Sequence, residues 1–195
     1  MAACPQISLA ELPDSSKPHM DFLDSTWFKT HGQTRDFPKP EHLRSLCKPH
    51  QLPYPVKFED LGLVVKFGLH VSTTEAVNLW AIRRAFQDML PVPEVYGWRV
   101  IEQDGKSEVF IYMQLIQGPT LQQQWSDMSA MDKHTICGDL RDKMSCLRSL
   151  RDSEVQQVIG PICHGPAIDI SLEQFPLLRP FPSRGVLHDW LSWLW

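Results

Sequence analysis

The chain has 195 residues, 43% of them hydrophobic and 22% charged, with a formal net charge of −4. That length holds one domain or two small lobes, and the composition is that of a globular protein. No basic tract stands out and no apolar run approaches a membrane span, which argues against nucleic acid and membrane as partners.

The first residues, MAACPQISLAELPDSS, lack a basic n-region and an apolar core, so they do not read as a signal peptide. Residues 1–50 show little periodicity and are expected to form an N-terminal extension that wraps the core or stays partly mobile. Within it, Asp24 or Ser25 can cap a short turn through Trp27 and Phe28. PKPEHLRSLC, residues 38–47, predicts one short helix with Leu43, Leu46 and Cys47 inward. Residues 51–62 read as an extended segment with a turn.

The central stretch is LVVKFGLHVSTTEAVNLWAIRRAFQDML, residues 63–90. Leu63, Val65 and Phe67 fall on one face of a strand, Val64 and Lys66 on the other. Ser72, Thr73 and Thr74 offer N-cap oxygens, and Glu75 sits where a carboxylate complements the helix dipole. Leu79, Ile82, Phe86 and Met89 recur at helical spacing until Pro91 and Pro93 stop the helix. A strand lysine facing a glutamate on the next helix is the ion pair with which kinase-like folds hold nucleotide phosphates. On these two residues alone, the plainer reading is a snorkelling strand lysine and an ordinary helix-start glutamate.

Beyond the helix, two alternating apolar runs flank Asp104-Gly105, a strong hairpin signal. Trp98, Val100 and Glu102 share a face of the first strand, and Val109, Ile111 and Met113 a face of the second. The order strand, helix, strand, strand predicts an antiparallel sheet crossed by one helix. Thr120 with Gln123 fits a capping box for a short helix ending near Trp125. Ser129 or Asp132 opens a longer helix, with Ile136, Leu140, Met144, Leu147 and Leu150 on one face through Arg151. Residues 159–182 look irregular. HDWLSWLW, residues 188–195, is an apolar helix without a polar cap, and it reads as cut short.

The five cysteines, Cys4, Cys47, Cys137, Cys146 and Cys163, are widely spaced and form no CxxC. Free thiols in a reducing compartment are the simplest reading, and the cytoplasm is the expected location.

Taken in order, LGLVVKFG, TEAVNLWAI, PVPEVYGWR, IYMQLIQGPTLQQQW, DKHTICGDLRDKMSCLRSLR, VIGPICHGPAID and FPSRGVLHDW resemble the N-terminal part of the fungal aminoglycoside-phosphotransferase family, a branch of the kinase-like fold. The resemblance covers residues 38–195, and the collinear order is more specific than any one stretch. It implies an α+β, protein-kinase-like architecture. A small antiparallel-sheet N-lobe with one helix and a hinge spans residues 51–117. An incomplete helical C-lobe spans residues 118–195. It also implies that Lys66 anchors phosphates, that Glu75 is its helix partner, and that Tyr112 to Gln117 form the hinge. Gln114, Leu115 and Ile116 would meet the adenine edge. The plain alternative for the hinge is an ordinary strand exit. The implied nucleotide is ATP, with Mg²⁺ only where the missing catalytic half is supplied.

Phosphoryl transfer in this fold also requires an Asp that orients the acceptor hydroxyl, a nearby Asn and a metal-binding Asp. The family places these after the residues matched here. The only asparagine is Asn78, three residues after Glu75. His164-Gly165 is followed by Pro166 where Asp is needed, Asp169 is followed five residues on by Gln174, and Asp189-Trp190 aligns better with a helix before the catalytic loop. No P-loop, GxGxxG, HExxH or GxSxG occurs. His70, His134, His164 and His188 are scattered and read as surface or packing residues.

The sequence therefore offers no catalytic residue and no metal ligand. The expected protein is a truncated phosphotransferase, inactive as this chain, with an unidentified acceptor. The alternative is a non-catalytic module that binds nucleotide, or a protein partner at its apolar C-terminal end.

Overall fold

The computed structural model describes residues 6–47, 55–103, 105–149, 151–152 and 181–194. It is a mixed α+β structure built on a five-stranded antiparallel sheet. β4, Leu63–Gly68, is an interior strand whose side chains alternate as its sequence does. β4 pairs with β6 (Lys106–Gln114) on one side and β3 (Val56–Phe58) on the other. β5 (Val95–Gln103) pairs with β6 through a two-residue connection at 104–105, where Gly105 takes φ 73°. A short strand, β2 (His19–Asp21), closes the far edge against β5. The sheet order is β2-β5-β6-β4-β3.

Each face of the sheet buries a different partner. Leu63, Val65 and Phe67 point to one side with Tyr96, Phe110 and Tyr112. They pack on Trp27 and Phe28 of α1 (Thr26–His31), on Phe37, and on Leu43 of α2 (Pro40–Ser45). The aperiodic N-terminal segment thus supplies four of the ten buried residues of this core. Three polar links fix it. The Tyr112 hydroxyl donates to the Pro38 carbonyl at 3.0 Å, and Arg99 Nη2 lies 2.7 Å from Asp21 Oδ1. Arg44 donates twice to Glu108 Oε2, at 2.6 and 2.9 Å, with its guanidinium over the Phe110 ring. Leu46, expected inward, is exposed because α2 ends at Ser45.

The other face carries α3, Thr73–Phe86, against Val95, Trp98, Val109, Ile111 and Met113. The buried helix positions are Ala76, Val77, Ala81 and Phe86. The predicted stripe of Leu79, Ile82, Phe86 and Met89 is therefore rotated. Leu79 and Ile82 are only half-buried. Met89 is 63% exposed, in a 3₁₀ turn beyond the helix end. Small residues at 76 and 81 let the helix settle close to the sheet, and closeness outweighs side-chain size in choosing the buried face.

A bulge between Val95 and Gly97 sends Tyr96 to one face and Trp98 to the other. Gly97 is required there. A Cβ at this position would lie 2.3 Å from the Met20 carbonyl oxygen, on backbone that cannot move away cheaply.

The helical half begins at α4, Leu121–Gln124, where the Thr120–Gln123 capping box is complete. α5, Ala130–Arg148, is capped by Ser129, whose hydroxyl accepts from the Asp132 amide at 3.1 Å. It stops three residues short of the predicted Arg151. Arg151–Asp152 instead form β7, a parallel pair with β1, Gln6–Ile7. α6, Arg184–Leu194, starts earlier than predicted. Its Trp190 packs on Phe181, with ring centroids 5.4 Å apart. No helix among the described residues is long and apolar enough to cross a membrane.

Candidate functional site

Lys66 lies on the α3 side of β4, opposite Ile111 of β6. Strand alternation sends its side chain out of the plane toward α3, with Val64. Glu75 stands in the first turn of α3, three residues after the N-cap Ser72. The connection of residues 69–72 places the two side chains in contact. Lys66 Nζ donates to both Glu75 carboxylate oxygens, at 2.6 and 2.8 Å. Two of its three protons are so engaged, and the third remains for another acceptor.

Solvent reaches both partners: their side chains are 41% and 36% exposed. An ion pair this open adds at most about 1 kcal/mol to stability. Its chemical capacity is to present a fixed ammonium to an anion. The helix N-terminus beside it adds partial positive charge.

The expected hinge lies at the exit of β6. Gln114 closes the strand, and its amide donates to the Glu94 carbonyl at 2.8 Å. The Leu115 amide donates to the Gly62 carbonyl at 2.9 Å. Ile116 follows, 61% exposed. The donors of Gln114 and Leu115 are thus committed within the fold, and Ile116 opens to solvent.

The remaining sequence candidates are dispersed. Asn78 is half-buried on α3, and Asp189 is exposed on α6. His164, Gly165, Pro166, Asp169 and Gln174 lie outside the described residues. Among the described residues, no group of three or more His, Cys, Asp or Glu side chains could hold a metal ion. A cleft of about 580 Å³ lined by Arg35, Phe37, Lys39, His42, Phe58 and Leu61 sits on the face opposite Lys66.

Two contacts beside the site had no sequence signal. Thr73 does not cap α3; its hydroxyl donates to the Ser15 carbonyl at 2.9 Å. Trp98 Nε1 donates to the Lys17 carbonyl at 2.9 Å. Both partners are backbone oxygens from a distant, aperiodic segment, which side-chain patterns do not record.

Comparison with family models, with curated proteins and with solved structures gives no match for this chain.

Proposed function

We propose that this chain carries a kinase-like nucleotide-binding lobe of the aminoglycoside-phosphotransferase type, in which Lys66 anchors ATP phosphates. The observation that supports it is the bidentate Lys66–Glu75 pair, which joins β4 to the first turn of α3. Kinases use that juxtaposition to hold a lysine against the α- and β-phosphates.

The residues fit a phosphate anion. Glu75 fixes the ammonium without neutralising its remaining proton, and the exposure lets a ligand approach. Ile116, at the strand exit, would offer its backbone to the adenine edge. Bound ATP would supply the transferable phosphoryl group. The described residues supply no set of ligands for Mg²⁺, and no transfer step is assigned to this chain. Its role in this reading is to bind and orient nucleotide. The acceptor is a small molecule whose site the described residues do not define. A cytoplasmic location accords with the free thiols of Cys47, Cys137 and Cys146.

Calorimetric titration with ATP and with adenosine tests the proposal. A phosphate anchor makes ATP bind at least about tenfold more tightly than adenosine, the worth of one charge-assisted hydrogen bond. Equal affinities, or no binding of either, would remove Lys66 from any phosphate-binding role.

A second reading, a partner-binding module, draws on α5. Leu140 and Met144 on its apolar face are each 48% exposed, and Met131 is 74% exposed. Light scattering across a concentration series separates the two readings, since a monomer that binds ATP needs no partner.

A further inference from the structure

The segment from Ile7 to Phe22 touches α3 along much of its length. Near the C-terminal end of the helix, Glu11 Oε2 lies 3.9 Å from Arg84 Nε. In the middle, Leu12, Met20 and Phe22 pack into the cluster that holds Ala76, Val77 and Leu79. Phe22 also stacks on Trp80, with centroids 6.4 Å apart and planes at 22°. At the N-terminal end, the Ser15 carbonyl receives the Thr73 hydroxyl. Thr73 and Arg84 are eleven residues apart, about 16 Å along a helix. The segment is therefore a strap laid lengthwise on α3.

Behind the helix the strap is anchored to the sheet. Trp98 Nε1 donates to the Lys17 carbonyl, and the Val100 amide to the Pro18 carbonyl at 2.7 Å. The Phe22 amide donates to the Tyr96 carbonyl at 2.9 Å, after β2 has paired with β5. The Ser15 carbonyl is thus held a few residues from a fixed sheet edge.

Thr73 is two residues from Glu75, in the same helical turn. The N-cap Ser72 makes no side-chain capping bond, so the first turn of α3 lacks that one restraint. The bond from Thr73 to the strap supplies one from outside the helix. We infer that Thr73 is a positioning residue: its hydroxyl, tied to the Ser15 carbonyl, holds the first turn of α3 where Glu75 meets Lys66. The strap sets the electrostatics of the site without touching a ligand. The consequence for nucleotide rests on the phosphate-anchoring role proposed above. The positioning itself does not.

The test uses the full chain with Thr73→Val, Thr73→Ala and Thr73→Ser. Valine and alanine remove the donor, and serine keeps it. Amide hydrogen exchange of Ala76 to Leu79 is compared with that of Arg83 to Phe86 in the same helix. Loss of one hydrogen bond predicts exchange about three- to tenfold faster in the first group only, with serine restoring the wild-type rate. Unchanged exchange in both Val and Ala variants overturns the inference, as does equal acceleration at both ends of the helix. Alanine keeps the test open should valine fail to fold.

ATP and adenosine titrations provide the second readout. Weaker ATP binding with adenosine unchanged is expected of Val and Ala. Equal weakening of both ligands marks a general structural defect and contradicts the positioning role. If the wild-type chain binds no ATP, the nucleotide reading fails while hydrogen exchange still decides the tether.

Discussion

At Gly97 the missing side chain is the functional feature of the residue. Gly97→Ala drives a methyl to within 2.3 Å of the Met20 carbonyl oxygen and 3.0 Å of the Phe37 ring. The strand pair must separate, and a loss of about 1–3 kcal/mol is expected in urea unfolding. Nothing in the sequence pattern singled out this glycine, because the atom it avoids lies on a strand that the pattern did not predict. Lys66 and Glu75 were legible for the opposite reason. Strand alternation and helix-start chemistry are local rules, and both act within ten residues.

Tyr112 carries a pH consequence. Burial pushes its phenol well above the ordinary value near 10, and the nearby Arg99 only partly offsets this. In the unfolded chain the phenol ionises normally. A raised folded pKa means its contribution to stability is fully present below pH 10. It is lost as pH climbs above 10, because only the unfolded state releases the proton there. Thermal unfolding followed from pH 9 to 11 should show this decline, and Tyr112→Phe should flatten it. An equally steep decline in the phenylalanine variant would assign the effect elsewhere.

Among the elements, α3 shows where periodicity informs and where it misleads. The helix, its start and its partner strand followed from the sequence. Its buried face did not, since Ala76 and Ala81 carry little hydrophobic weight yet decide how near the helix lies to the sheet. α5 shows the converse. Its cap and its apolar spacing were legible, but the expected stripe is half open, and spacing alone cannot tell whether a face is covered. Ser129→Ala removes a cap bond to the Asp132 amide. About 1 kcal/mol of local stability should disappear, read as faster amide exchange in the first turn of α5 with the sheet unaffected.

On the scale of the molecule, the five-stranded sheet separates two cores of different origin. One pairs it with α3, a neighbour in sequence. The other pairs it with Trp27, Phe28, Phe37 and Leu43, from a segment without helical or strand periodicity. The turn at Trp27 and Phe28 and the inward Leu43 were legible locally, but their packing with Phe37 on this face of the sheet was not, because no local pattern records which face a remote segment covers. Leu43 is fully buried, and Leu43→Ala should cost about 2–5 kcal/mol. Leu140→Lys on α5 should stay within about 0.5 kcal/mol of wild type, because that side chain is already half in water. Denaturation midpoints of the two variants compare the cores directly; similar losses would mean that the α5 face is covered in solution.

In the role proposed for it, the Lys66 ammonium, held by Glu75, meets the phosphates of ATP. ATP titration of the wild type beside Lys66→Met tests that role, with melting temperatures measured on the same samples. The predicted result is a loss of affinity of about ten- to a hundredfold, with stability altered by no more than about 1 kcal/mol. Undiminished ATP binding in Lys66→Met would contradict the claim and leave the Lys66–Glu75 pair as a surface ion pair.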